Sequence, residues 1–218
     1  MSFLNWVRRK KRELNKEAFQ MKLFTSFIVG VLIIFVALAI IIKNYEFVYY
    51  GSILLLLILT SYFVRKNIKL HLPIFILICV IILMHTVGGL LYFNGIKLYD
   101  ISFGIIKYDN IIHFLGSFVM VFIFYNLIYN FVLPCNEKRD FYLFTVLVLM
   151  TAGFGTMIEF AELVAVLFFD AEKAVGGYLN NAIDLIVNFV GASVASLIVV
   201  YYYNTKEFKK ILQNKIKK

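Results

Sequence analysis

Six ionisable side chains sit inside otherwise apolar stretches of this sequence: His85, Asp109, His113, Glu159, Glu162 and Asp184. Charge inside a membrane span costs roughly 2.5–3.5 kcal/mol per residue on insertion scales, so each needs a partner or a function. Asp109 and His113 are four apart and share a helical face, as do Glu159 and Glu162, three apart, and Asp184 and Asn188, four apart. Two carboxylates as close as Glu159 and Glu162, flanked by Met157, Ile158, Phe160, Ala161 and Leu163, cannot both stay ionised without a cation or a shared proton. His85 stands one turn before Gly88 and Gly89, which allow close helix approach.

Four carboxylates and two imidazoles make an oxygen and nitrogen donor set suited to Zn, Mn, Fe or Mg. The expected metal ligands are Asp109, His113, Glu159 and His85, with Glu162 or Asp184 as the general base. Each residue also has a plainer role. Asp109 can cap a helix, Asp184 can answer a helix dipole with Asn180 or Asn181 as the cap, and the histidines can be hydrogen-bonded struts. The sequence has no H-E-x-x-H, no phosphate-binding P-loop and no G-x-S-x-G.

The elements that must carry these residues follow from composition. The chain has 218 residues, 62% hydrophobic and 16% charged. A soluble domain carries about 25% charge. The apolar residues come in runs of about 20, the length that crosses a hydrocarbon core roughly 30 Å thick. We therefore expect an all-α, polytopic membrane helix bundle with spans at about 22–42, 47–64, 72–93, 110–133 (closed by Pro134), 142–169 and 181–203. Pro73 is tolerated in the first turn of the third span.

Three regions are expected: a basic interfacial segment at 1–20, a six-helix membrane domain at 21–204 and a basic tail at 205–218. In the first, Phe3, Leu4, Val7, Leu14 and Ala18 form one stripe beside Trp6, and Arg8 to Arg12 are too densely charged to bury. The apolar run that follows is too long, and lacks a cleavage site, for a signal peptide. Cys79 in an apolar run and Cys135 in a polar loop suggest neither a disulfide nor a cysteine metal site.

Charge sets the orientation. With the N-terminus inside, only Lys43, Lys97, Lys107 and Lys173 of the 22 basic residues fall outside, so both termini are expected in the cytoplasm of a cell membrane. The net charge of +9 then belongs to topology and anionic lipid rather than to nucleic acid. In this frame the six ionisable residues lie in the outer half of the membrane, on four helices, within about 16 Å of the outer span ends at 1.5 Å per residue.

Asp109-x-x-x-His113-Phe114, Ile158-Glu159 and Asp184-x-x-x-Asn188-x-x-Gly191 resemble the motifs of the VanZ-like membrane proteins. His85-Thr86-Val87-Gly88-Gly89 and Tyr108-Asp109 look like the related YjdF-type inner-membrane family. Glu162 stands where the VanZ-like pattern has Gln; Thr156 and Asn180 stand where YjdF-type chains have acids. The likeness covers about half the chain. It implies a polytopic membrane protein linked to the cell envelope, with Asp109, His113, Glu159 and Asp184 foremost in the site, and supplies no reaction.

Three functional readings follow. The first is a metal-dependent enzyme acting on a lipid or lipid-linked envelope substrate. The second is a proton- or cation-coupled transporter, which the lack of inverted repeats and of inner-half ionisable residues disfavours. The third is a non-catalytic lipid-binding or assembly protein whose acidic cluster is structural.

Overall fold

The computed structural model describes residues 3–65, 71–104, 106–128, 139–169 and 177–216. Pro134, Cys135 and Lys173 lie outside the described residues, as do the side chains of Phe3, Leu4, Trp6, Val7, Leu14 and Tyr203 and of the tail beyond it. The fold is all-α and polytopic. Among the described residues, six helices are long and apolar enough to cross a membrane. Contacts divide the chain into two compact units, residues 1–101 and 102–218.

The first unit holds α1 (Phe3–Ile41), α2 (Tyr45–Val64) and α3 (Leu72–Leu90). The basic segment and the first span are thus one continuous helix, whose apolar part is Asn15–Ile41. Met21, Thr25, Ile28, Leu32, Phe35 and Ala39 are buried at alternating spacings of four and three, the stripe with which α1 meets α2 and α3. Lys43 turns the chain with φ +57°, and the Asn44 side chain accepts from the Phe47 backbone N–H to cap α2. Glu17 of α1 accepts the backbone N–H of Leu72 at 2.7 Å, placing a carboxylate at the N-terminus of α3.

The third span is expected to run to 93, but α3 ends at Leu90. Tyr92–Phe93 (β1) pairs with Ile96–Lys97 (β2) in an antiparallel hairpin, turned at Asn94 (φ +52°) and Gly95 (φ +79°). Asn-Gly is the pair that a tight hairpin turn prefers, because both central residues take positive φ. A short 3-10 turn, Leu98–Asp100, follows.

The second unit opens with another antiparallel pair, Ser102–Phe103 (β3) and Ile106–Lys107 (β4). It continues with α4 (Tyr108–Ile128), α5 (Arg139–Phe169) and α6 (Tyr178–Ile216). These helices pack pairwise. Val121, Leu143, Leu147, Ala192, Ala195 and Val199 form its dry core. Small residues allow the approach: a Cβ at Gly191 would fall 2.5 Å from the Phe114 carbonyl oxygen. The apolar part of α6 is Tyr178–Tyr202, and the helix continues to Ile216, so at 1.5 Å per residue it reaches about 58 Å.

Candidate functional site

The buried faces of the three helices in the second unit change character along their length. On α5, Leu143, Leu147, Thr151, Gly155 and Glu159 are all buried, each four residues after the last. On α6 the buried series runs from Asp184 and Asn188 through Gly191 and Ala192 to Ala195, Ser196 and Val199. On α4 it is Asn110, His113 and Ser117, then Val121. The periodicity that makes each helix face the core therefore brings the polar residues together at one end, where α4 and α6 begin and α5 finishes.

Five of the six ionisable residues meet there. His113 Nε2 lies 3.6 Å from Asp109 Oδ1 and 3.8 Å from Glu162 Oε1, and His113 Nδ1 lies 3.8 Å from Glu159 Oε1. Asp109, His113 and Asp184 bring one donor atom each within 4.8 Å of one another, a spacing one cation can draw together. Asp184 is wholly buried. Its Oδ1 accepts from the Asn110 amide at 2.7 Å and its Oδ2 from the Asn180 amide at 2.8 Å.

Lys107 anchors the mouth of this network. Its backbone N–H donates to Asn110 Oδ1 at 2.9 Å and its ammonium to Asn180 Oδ1 at 3.0 Å. So Asn180, a candidate cap from sequence, lies inside the first turn of α6 and joins Lys107 to Asp184, while Gly177 supplies the carbonyl that its backbone N–H donates to. Deeper in, Ser117 Oγ donates to Asn188 Oδ1 at 2.7 Å, and the Asn188 amide nitrogen lies 3.3 Å from His113 Nδ1.

Glu159 is the exception to this order. It is 8% exposed, and neither carboxylate oxygen has a hydrogen-bond partner among the described residues. Most buried polar groups are paired, and an unpaired one is costly.

His85 belongs to the first unit. The Tyr99 hydroxyl bonds its Nδ1 and also donates to its backbone carbonyl at 3.1 Å, and the Tyr50 ring packs edge-on against it. These contacts tie the turn after β2 to α3.

Asn110, Ser117 and Lys107 are members of the network that sequence reasoning did not single out. The available signal was polarity at the spacing of His113: Asn110 is three residues before it and Ser117 four after, all on one face of an apolar helix.

A family of predicted membrane proteins, DUF2238, matches the chain over residues 23–206. The chain belongs to that family. No curated protein and no solved structure matches it. The matched range takes in the apolar core of all six helices and every residue of the acidic network, so the network belongs to the DUF2238 region of the chain.

Proposed function

We propose that this DUF2238 protein is a multi-pass protein of the cell membrane, with both termini cytoplasmic, that binds a divalent metal ion at the α4–α5–α6 cluster and uses it on a lipid or lipid-linked envelope substrate. The observation that carries this reading is Glu159: a buried carboxylate with neither oxygen hydrogen-bonded among the described residues, 3.8 Å from His113 and beside three mutually close donors. Four carboxylates face one imidazole and one ammonium here, and a divalent ion relieves that imbalance while supplying the partner that Glu159 lacks.

The residues divide by how they are held. Asp184, fixed by two amides, suits a ligand, as do Asp109, His113 and Glu159. Glu162, 3.8 Å from His113 Nε2 and the more exposed glutamate side chain at 16%, suits the general base. A metal in this seat would polarise a phosphoryl or carbonyl oxygen or activate water. His85, engaged by Tyr99, is left out of the proposed centre. Lys and Arg placement supports an orientation with the mouth of the cluster towards the outer leaflet, where a lipid headgroup can reach it. The likeness to VanZ-like and YjdF-type motifs points to the same compartment.

Thermal unfolding of the purified full chain in detergent tests this. Zn²⁺, Mn²⁺ or Mg²⁺ at about 100-fold over its Kd should stabilise the protein by about 2.7 kcal/mol. His113→Ala and Glu159→Gln should abolish that gain while remaining folded. Metal-free wild-type protein whose unfolding ignores all three ions would refute the metal reading.

A further inference from the structure

The two ring nitrogens of His113 have different surroundings. Nε2 faces the carboxylates of Asp109 and Glu162, and Nδ1 faces the Asn188 side-chain amide. That amide is itself clamped. Asn188 is 2% exposed; Ser117 Oγ of α4 bonds its oxygen at 2.7 Å, and α5 backs it with a glycine. A Cβ at Gly155 would fall 3.0 Å from the amide nitrogen, 3.2 Å from Cγ and 3.3 Å from Cβ of Asn188, so a side chain there would press on the amide and shift it.

We infer that Asn188 is a positioning residue: it fixes the ring plane and tautomer of His113, so that Nε2 is the nitrogen presented to the acidic wall. A neutral imidazole carries its proton on one nitrogen, and the hydrogen bond made at the other selects which. With the Asn188 N–H donating to Nδ1, the proton sits on Nε2 and points at Asp109 and Glu162. For Nε2 to hold a cation, the proton moves to Nδ1 and needs an acceptor there. Turning the amide about its Cβ–Cγ bond supplies Oδ1 in the same place. Ser117 stays bonded in both orientations, because a hydroxyl both donates and accepts. Each orientation of the amide therefore selects one tautomer, and the one seen here, with Oδ1 on Ser117, selects the Nε2 proton, whereas an aliphatic side chain of the same size selects neither. Glu159 Oε1, 3.8 Å from Nδ1, is not needed for this task and stays available to a ligand.

The affinity consequence rests on the metal reading; the tautomer does not. The test is ¹⁵N-histidine NMR of the full chain in micelles without added divalent ion, with His113 assigned by its loss in His113→Ala. Wild type should show one tautomer. Asn188→Ala should give a mixed pattern, and Gly155→Ala, which displaces the amide without removing it, should move the pattern the same way. Gly153→Ala, where a Cβ meets nothing within 4 Å, should leave it unchanged. Asn188→Ala should also weaken divalent binding about 10–100-fold, the usual range for a residue that orients a metal-bound histidine. A mixed pattern in wild type, or a wild-type pattern in both Asn188→Ala and Gly155→Ala, overturns the inference. Wild-type protein that binds no metal overturns the metal reading alone, since the nitrogen pattern is read without it.

Discussion

Asp184 shows what a carboxylate needs when it is buried in a membrane helix: both oxygens accept amide hydrogens, and one of the donors, Asn110, is held in turn by the Lys107 backbone. Asn110→Leu keeps the size and removes one donor from a fully buried oxygen, so it should cost about 1–3 kcal/mol in unfolding free energy, measured by thermal or denaturant unfolding in detergent. Glycines on α4 and α6 give a second contrast. Gly191→Ala drives a methyl into the Phe114 carbonyl and should destabilise by about 1–3 kcal/mol or more. Gly116→Ala meets nothing within 4 Å and, inside a helix, should be neutral to stabilising by up to about 1 kcal/mol in the same assay. Much of this scale was legible in the sequence. Asp109, His113, Glu159, Glu162 and Asp184 stand out because charge is expensive in an apolar run. Asn110 and Ser117 did not, because a neutral polar residue in a span is common and only the fold shows which partner it serves.

At the scale of elements, apolar runs located all six helices and several of their ends, such as Val64, Leu72 and Phe169, but not the end of α3. Tyr92 and Phe93 read as the last residues of a span, yet Asn94-Gly95 supplies two positive φ values and folds the chain back as a hairpin with Leu98 N–H donating to the Leu91 carbonyl at 2.8 Å. Gly95→Val places a branched residue at φ +79° and should open this hairpin, seen as faster hydrogen exchange at Leu98 and Tyr99 with the α3 amides unchanged. The start of α3 at Leu72 was legible from Pro73, but its pairing with Glu17, 55 residues earlier in the chain, was not, because no local pattern announces it.

At the scale of the whole molecule, hydropathy gave a six-span chain, and the family match spans the same region, residues 23–206. Orientation rests on the distribution of Lys and Arg. With Cys79 and Cys135 replaced by Ser, a cysteine at Lys97 should react with a membrane-impermeant maleimide added to intact cells, and one at Lys10 should react only after permeabilisation. The reverse pattern would invert the topology and place the acidic network towards the cytoplasm. The division into two units leaves the acidic network entirely within residues 102–218. No sequence pattern announced that division; it follows from which helices interlock through Gly155 and Gly191.

The central claim, a divalent ion held by α4, α5 and α6, is tested most directly by anomalous diffraction from crystals of the full chain soaked in Zn²⁺ or Mn²⁺, recorded above and below the metal edge. The account predicts one anomalous peak bounded by Asp109, His113 and Asp184, lost in His113→Ala. Crystals that show no peak at saturating metal, with the carboxylates joined instead by short oxygen–oxygen hydrogen bonds, would contradict it.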